Sequence, residues 1–189
     1  MAPARRRALA GRRGIALRRF GPLARRFRRA GRLPEVRPPT WIERGRLLAG
    51  RHPGAWSPDD AQAEVSALVE LGVTLVLDLT EPNELPPYED FLPAGTRHVR
   101  VAVRDFTVPT DEQLVAALDL IDAELEGGGV VYVHCWAGCG RTGVVVGCWL
   151  VRHGADPERA LERIAETRGP GCPQTVEQRR AVLAWEAGR

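Results

Sequence analysis

The chain lacks several residue types altogether or nearly so. It has no lysine and a single asparagine among its 189 residues, so all 27 of its basic side chains are arginines. Together with the heavy use of Ala, Arg, Gly and Pro, this bias indicates a GC-rich coding sequence. No apolar run is long enough for the core of a secretory signal or for a membrane-spanning helix. We therefore expect neither a twin-arginine signal around Arg18-Arg19 nor a transmembrane segment.

Acidic residues are missing from the N-terminal end of the chain. The first 32 residues contain twelve arginines and no acid, whereas residues 33–189 contain fifteen arginines against 24 acids, a formal charge of −9. Apolar residues recur among the early arginines at helical spacing, so residues 1–34 could contact a membrane or a nucleic acid. Gly21-Pro22 interrupts that spacing. We favour a disordered basic tail over 1–34, or an extension upstream of the true start codon, and one domain over 41–186.

Strand-like and helix-like segments alternate along the domain. A short opening hairpin lies near 42–50, and a proline-rich loop over 80–95 is expected along the rim of a site. The predicted strands are 73–79, 99–103 and 130–134, and the predicted helices are 57–71, 111–126, 142–153, 157–168 and 176–187. This order predicts an α/β fold with a mainly parallel central sheet and helices on both faces.

One loop between a predicted strand and a predicted helix carries most of the chemistry. It reads His134-Cys135-Trp136-Ala137-Gly138-Cys139-Gly140-Arg141-Thr142. A loop that leads into a helix directs backbone N–H groups and the positive end of the helix dipole at one spot, which suits a phosphate-sized anion. Cysteine attacks as a thiolate, which neighbouring cations and a helix N-terminus favour.

The other side chains of this loop fit a phosphoryl-transfer site. Arg141 can bind two phosphoryl oxygens at once through its planar fork. Gly138 and Gly140 allow the backbone to turn tightly and approach a ligand. Thr142 can offer its hydroxyl to the departing sulfur, and it is equally placed to cap the helix. A buried structural cysteine beside a capping loop would leave the arginine and the glycines without a reason.

The pattern His-Cys, five residues, Arg, then Thr resembles the active-site signature of cysteine-dependent protein tyrosine and dual-specificity phosphatases. The resemblance covers about residues 41–186 and implies the protein-tyrosine-phosphatase-like fold. It also implies a phosphocysteine intermediate on Cys135, a phosphoryl group bound by Arg141 and the backbone of Trp136 to Gly140, and a supporting role for His134. Trp136 could contact an aromatic substrate ring, or it packs in the core.

A general acid is needed because an alkoxide or phenolate leaves poorly. Asp105 ends a strand-like segment about thirty residues before Cys135. In this order of strand, aspartate, loop and helix, the chain resembles the small dual-specificity phosphatases. We interpret Asp105 as the acid. A solvated Asp105, or one paired with Arg104, is the alternative. Downstream, residues 168–178 resemble the segment that closes such sites. There Gln178 could position the hydrolytic water, although we favour its capping box with Thr175.

The four cysteines, Cys135, Cys139, Cys148 and Cys172, lack zinc-ribbon spacing. They could form disulfides, but an attacking thiolate needs a reducing compartment, so we expect a cytoplasmic protein. Cys139 could trap an oxidised Cys135, although a space-filling role is simpler. No metal or other cofactor is expected, because Arg141 and backbone amides would take a metal's place.

Substrate and partners follow less directly. Relatives with Lys on both sides of the central Ala-Gly favour phosphoinositides, but those positions are Trp136 and Cys139 here. The acidic domain also disfavours a polyanionic substrate. We expect a monomer that acts on a phosphoprotein or phosphopeptide. The alternatives are a non-protein phosphomonoester such as an inositol phosphate, lipid or RNA, and a catalytically weak phosphate-binding module.

Overall fold

The computed structural model describes residues 38–55 and 58–186. The predicted basic tail over 1–34 therefore lies outside the described residues. So does Ser57, the first residue of the helix predicted over 57–71. Within the described part of the chain, no helix is long and apolar enough to cross a membrane.

Five strands form one mostly parallel sheet in the order β1-β2-β5-β3-β4. They are β1 Thr40–Glu43, β2 Leu47–Arg51, β3 Leu75–Asp78, β4 Arg97–Arg100 and β5 Val131–Cys135. β1 and β2 form the predicted antiparallel hairpin, and the other neighbouring strands are parallel. β5 lies at the centre between β2 and β3, so the predicted phosphate loop follows the central strand.

Five α-helices in the described part of the chain accompany the sheet. They are α1 Ala61–Glu70, α2 Asp111–Glu126, α3 Gly140–Arg152, α4 Pro157–Arg168 and α5 Val176–Leu183. The bounds of α2 and α4 agree with the sequence, because a capping box from Thr110 fixes one start and Asp156 caps the other. A 3₁₀ turn over Pro58–Asp60 replaces the predicted first turn of α1.

The helices cover both faces of the sheet, as predicted. On one face, α1 packs through Ala61, Val65 and Leu68 against Val76 and Tyr132. On the other face, α2, α3, α4 and α5 enclose the larger core. The most buried helix is α3, in which Val144, Val145, Val146 and Cys148 are all covered. Because this helix is buried along its length, the loop that precedes it has a rigid support.

Candidate active site

Cys135 is the last residue of β5, at the carboxyl end of the central strand. Ligands commonly bind at that edge of a parallel sheet. In register, Cys135 is opposite Arg51 of β2, and its neighbour His134 is opposite Asp78 of β3. The side chain is 2% exposed and its thiol is free. The sheet therefore places an unmodified cysteine at the bottom of the predicted site.

The phosphate loop itself consists of Trp136 to Cys139, and α3 begins directly afterwards at Gly140. The carbonyl of Trp136 accepts a hydrogen bond from the His52 N–H at 3.0 Å, which fastens the loop to the segment after β2. Trp136 is itself buried, which supports packing as its role. The predicted helix cap at Thr142 is wrong, because α3 starts two residues earlier and Cys139 occupies the capping position.

Arg141 is buried, with 1% exposure, and several hydrogen bonds fix its guanidinium group. Its two terminal nitrogens pair with the Glu84 carboxylate at 2.8 and 2.7 Å. The carbonyl of Val103 accepts from Nη1 at 2.9 Å, and that of Leu79 at 3.3 Å. A bidentate pair of this kind fixes both the position and the plane of a guanidinium group.

The electrostatic balance at Arg141 favours its charged form. Burial alone would lower the pKa of Arg141, but the Glu84 hydrogen bonds and the charges of Cys135 and Asp105 outweigh burial and raise the pKa. Nε of Arg141 and the hydroxyl of Thr142 are buried polar atoms without a hydrogen-bond partner among the described residues. Buried donors normally find a partner, so an N–H left over beside this loop is suited to a bound anion.

Asp105 lies close to this cluster. Its Oδ1 is 3.0 Å from Nη2 of Arg141, and its side chain keeps 21% exposure. The structure therefore pairs Asp105 with Arg141, whereas the two alternatives from the sequence were a solvated aspartate and a pair with Arg104. Phe106 follows with a φ of 61°, a left-handed conformation that non-glycine residues seldom adopt. The turn thus brings a partly exposed carboxyl group to the arginine of the phosphate loop.

Glu84 is a site residue that the sequence did not indicate. It lies in the predicted long loop over 80–95, which thereby contacts Arg141, and its side chain is 12% exposed. Oε2 of Glu84 also accepts from the N–H of Glu81 at 2.9 Å, so a local turn holds the carboxylate. One acid among several in a proline-rich loop carries no signal of this role until the loop is folded.

His134 is fully buried behind Cys135 and belongs to a network of polar side chains. Its Nε2 meets the hydroxyl of Tyr88 at 2.5 Å, and its Nδ1 lies 3.3 Å from the carbonyl of Cys135. Burial lowers the pKa of His134 to about 3, although Asp78 opposes the shift. Neutral His134 therefore links β5, which ends at Cys135, to Tyr88, a residue that the sequence did not indicate.

Gln178 is buried and forms the predicted capping box with Thr175. It also reaches the other side of the site, because its Nε2 donates to the carbonyl of Thr107 at 3.0 Å. A Cβ built on Gly140 would lie 2.7 Å from Oε1 of Gln174 and 2.9 Å from Oε1 of Gln178. Two glutamine side chains therefore pack directly on the start of α3, next to the phosphate loop.

Cys139 has a different partner from the one considered above. It forms a disulfide with Cys172, and the free thiols among the described cysteines are Cys135 and Cys148. Cys139 is therefore not available to trap an oxidised Cys135 in this structure. Spacing could not predict this pairing, because 33 residues separate the two cysteines and only the fold brings them together.

A group with metal-ligand geometry lies beside the site rather than in it. Asp78, Glu89 and His98 are the grouping of this kind among the described residues. Arg100 already occupies it, donating to Oδ2 of Asp78 at 2.7 and 2.9 Å and to Glu89 at 2.9 Å. The guanidinium group satisfies the carboxylates, so the donor set fits an ion-pair network better than a metal.

Known proteins resemble the chain in sequence and structure. The sequence model of a family described as "Polymorphic toxin system, DSP-PTPase phosphatase" matches residues 53–155. An Arabidopsis thaliana phosphatidylglycerophosphate phosphatase, PTPMT1, is 36% identical over 126 residues, which are 65% of this chain and 37% of that protein. The Schizosaccharomyces pombe CDC14 homologue, a tyrosine-protein phosphatase, is 38% identical over 79 residues, 42% of this chain and 14% of that protein.

Solved structures extend the comparison to most of the described fold. The active form of Tk-PTP superposes with a TM-score of 0.67 at 29% identity, covering 80% of this chain and 98% of that one. The match to the curated sequences is only partial, since the chain spans well under half the length of the two relatives named above. The family model, in contrast, covers more than half of this chain and includes the whole phosphate loop. The chain therefore belongs to the family of dual-specificity and protein tyrosine phosphatases.

Proposed function

We propose that the chain is a phosphoprotein phosphatase that hydrolyses phosphotyrosine, phosphoserine or phosphothreonine through a phosphocysteine intermediate. The observation that carries this proposal is the arrangement around Arg141. A free Cys135 ends the central strand, Asp105 lies 3.0 Å from the guanidinium group, and Nε of the same arginine is buried without a partner among the described residues. A bound phosphoryl group would supply that partner.

In the first step, the sulfur of Cys135 attacks phosphorus while Arg141 and the loop amides hold the phosphoryl oxygens. Developing negative charge is stabilised by the guanidinium group and by the N-terminus of α3. Asp105 gives its proton to the leaving oxygen, so the substrate departs as an alcohol or a phenol. The 3.0 Å contact between Asp105 and Arg141 places this carboxyl group at the rim of the cup, where it must be protonated before the first step.

In the second step, water hydrolyses the phosphocysteine. Asp105, now ionised, accepts a proton from the water, and the bond between phosphorus and sulfur breaks to return the thiolate. We assign Gln178 a supporting role here. Its side-chain amide bridges the loop that follows Asp105 and the segment that precedes α5. The hydroxyl of Thr142, buried without a partner among the described residues, would serve the departing sulfur.

Charge supports a protein substrate over a polyanionic lipid headgroup. The positions that flank the central Ala137-Gly138 are Trp136 and Cys139, so the phosphate loop adds no cation besides Arg141. The domain around it carries more acids than arginines. The second candidate is a phospholipid phosphatase, which the name of the Arabidopsis relative favours. We further propose the cytoplasm as the place of action, because Cys135 must remain a reduced thiol. The disulfide between Cys139 and Cys172 is only 3% and 2% exposed, which shields it from thiol exchange there.

The decisive experiment compares substrates for the wild-type protein and for Cys135→Ser. The panel contains p-nitrophenyl phosphate, phosphotyrosine and phosphoserine peptides, and phosphatidylglycerophosphate in micelles. We expect the peptides to give the highest kcat/KM. Cys135→Ser should lose all turnover yet still bind phosphopeptide in calorimetry, because the cup and Arg141 remain. Turnover by Cys135→Ser would refute the mechanism, and a preference for the lipid would refute the protein substrate alone.

A further inference from the structure

Arg168 lies beneath the phosphate loop, outside the set of residues that the mechanism uses. It is the last residue of α4 and is 4% exposed. Its Nε donates to the carbonyl of Gly138 at 2.8 Å, while its Nη1 donates to the carbonyls of Pro38 at 2.9 Å and Ala49 at 3.2 Å. One guanidinium group thus joins the middle of the loop to the start of the described chain and to β2.

The contact with Gly138 is tight and leaves no room for adjustment. A Cβ at that position would lie 2.1 Å from the carbonyl oxygen of Gly50 and 2.7 Å from Nη2 of Arg168. The φ of Gly138 is 68°, in the left-handed region that glycine adopts without strain. The loop therefore rests on β2 and Arg168 at its lower side, and Gly138 is the residue that permits this approach.

We propose that Arg168 is a positioning residue that sets the direction of the peptide between Gly138 and Cys139. In a planar trans peptide, the C=O and the following N–H point in opposite directions. Because Arg168 holds the Gly138 carbonyl at the lower side of the loop, the Cys139 N–H is turned to the opposite side, where the phosphoryl group binds. The fixed positive charge below the loop also favours a dianion above it.

An arginine suits this role better than any other cation. Its planar fork reaches the Gly138 carbonyl through Nε and two further carbonyls through Nη1, whereas a lysine presents one ammonium group. Arg168→Lys should keep the positive charge but lose the simultaneous contacts. Arg168→Met should lose both. The two variants separate the effect of charge from that of peptide orientation.

The experiment measures the inhibition constant of orthovanadate, together with kcat and KM for p-nitrophenyl phosphate and the melting temperature. For Arg168→Met, we expect orthovanadate to bind about tenfold more weakly and KM to rise by a similar factor. Arg168→Lys should fall in between. Arg179→Met is the matched control, because Arg179 also donates to a backbone carbonyl nearby, that of Pro170, but does not contact the phosphate loop.

A purely structural role gives a different result. In that case the melting temperature falls, but the folded protein keeps its orthovanadate affinity and KM, and the proposal is overturned. If Arg168→Met does not fold, Arg168→Lys decides: weaker orthovanadate binding by folded protein supports the proposal, and unchanged binding overturns it. Orthovanadate binds independently of the natural substrate, so the outcome does not depend on whether a protein or a lipid is hydrolysed.

A second observation concerns the residue next to Gly138. Cys139, 3% exposed, is covalently joined to Cys172, 2% exposed, which lies between α4 and α5. The nucleophile takes no part in this bond, since Cys135 keeps a free thiol. Cys172 belongs to the same segment that carries Arg168, Gln174 and Gln178. The disulfide therefore fastens the phosphate loop to the residues that close the site.

We infer that the oxidised enzyme is the active form and that reduction of this disulfide weakens phosphate binding. A small dithiol attacks one sulfur of the bond, forms a mixed disulfide, and closes on itself to release two protein thiols and one cyclic disulfide. Cys139 would then be free to move with the loop. This response is opposite in sign to the recovery expected when a reductant restores an oxidised catalytic thiol.

The test treats the protein anaerobically with dithiothreitol, removes the reagent, and measures orthovanadate inhibition and p-nitrophenyl phosphate turnover. Alkylation followed by mass spectrometry should show two new thiols, at Cys139 and Cys172. We expect reduced protein to bind orthovanadate several-fold more weakly. The double variant Cys139→Ser/Cys172→Ser should bind orthovanadate as weakly as reduced protein does, and dithiothreitol should not change its affinity further. Cys148→Ala is the control that keeps the response, because Cys148 lies within the buried face of α3.

Three results would overturn this second proposal. One is that protein prepared in air carries free thiols at Cys139 and Cys172. Another is that reduction, confirmed by alkylation of both residues, leaves orthovanadate affinity unchanged. The third is a gain of activity after reduction, since it would place the sensitive sulfur on Cys135 rather than on the disulfide.

Discussion

At the scale of single residues, the role proposed for Asp105 as the acid can be tested directly. In the proposed mechanism, Asp105→Asn removes the proton that the leaving oxygen receives but keeps the shape of the loop. Phosphoserine peptides have a leaving group that needs this proton, whereas p-nitrophenolate leaves readily without it. We therefore expect Asp105→Asn to lose far more kcat on phosphoserine peptide than on p-nitrophenyl phosphate. Asp111→Asn is the control, because Asp111 lies in the first turn of α2. Equal losses on both substrates would remove Asp105 from the role of acid.

Glu84 permits a second test at this scale. It is the carboxylate that fixes the plane of Arg141, with contacts of 2.7 and 2.8 Å. Glu84→Gln keeps the size of the side chain but loses its charge and one acceptor. Charge-assisted hydrogen bonds of this kind contribute about 1.5–3 kcal/mol, so kcat/KM for p-nitrophenyl phosphate should fall roughly tenfold or more.

The neighbouring Glu81 supplies the control for that variant. Glu81 is exposed and meets Glu84 through its backbone N–H, so Glu81→Gln should leave kcat/KM unchanged. Wild-type activity in Glu84→Gln would mean that the carbonyls of Leu79 and Val103 are sufficient to orient Arg141. In that event, the loop over 80–95 that carries Glu84 would stabilise the fold without contributing to activity.

At the scale of elements, local signals determined how well each segment could be predicted. α2 and α4 begin where side chains cap them, and such signals lie within a few residues of the boundary. α3 begins at Gly140, earlier than predicted, and no side chain caps it, so its start carries no local signal. The side chains next to Gly140 are Gln174 and Gln178, which come from a distant segment. β4 was predicted over 99–103 but spans Arg97–Arg100, where its pairing with β3 ends.

The candidate site divides in the same way. The spacing of Cys135 and Arg141 is local, so the sequence could indicate them together. Glu84, Tyr88 and Arg168 reach the site from distant segments, and their partners are set by the fold. Glu84, for example, is 57 residues from Arg141 along the chain. No alternation or capping rule connects residues at such separations, and the disulfide of Cys139 escaped prediction for the same reason.

Gly138 allows a test of the phosphate loop as an element. An alanine there would combine a left-handed φ of 68° with a Cβ 2.1 Å from the carbonyl oxygen of Gly50. Gly128→Ala is a matched control, because its φ of 79° is also left-handed but a Cβ would meet nothing within 4 Å. The control should lose about 1–2 kcal/mol in the free energy of unfolding.

For Gly138→Ala we expect a larger loss of stability together with loss of p-nitrophenyl phosphate turnover, since the loop must shift to relieve the contact. Urea unfolding and turnover are measured on both variants. If Gly138→Ala were no less stable and no less active than Gly128→Ala, the loop would not be packed on β2 as described, and the positioning role proposed for Arg168 would lose its support.

At the scale of the whole molecule, the buried polar network behind the site makes stability depend on pH. His134 is fully buried, and its pKa is lowered to about 3, chiefly by burial. Burial also lowers the pKa of His52, which packs against His134 and Tyr88. Burial would raise the pKa of Asp78, but its interactions with His134, His98 and Thr80 outweigh burial and lower the pKa. The titration of Asp78 therefore changes the free energy of unfolding only near and below the ordinary aspartate pKa of 3.8.

The sign of this dependence follows from proton binding. Between pH 7 and pH 5, an unfolded histidine with a pKa near 6.5 takes up a proton, whereas folded His134 stays neutral. The unfolded state therefore binds more protons, and the free energy of unfolding should fall by about 2 kcal/mol from His134 alone over this interval. Carboxylates with lowered pKa values lose their contribution only at more acidic pH, so they do not obscure it.

Urea unfolding at pH 7 and pH 5 measures the difference. His134→Gln should reduce it, while His153→Gln, which changes a largely exposed histidine, should not. If His134→Gln kept the full pH dependence of the wild-type protein, His134 would take up its proton in the folded state as well, and the neutral link from Tyr88 to the strand behind Cys135 would then be wrong.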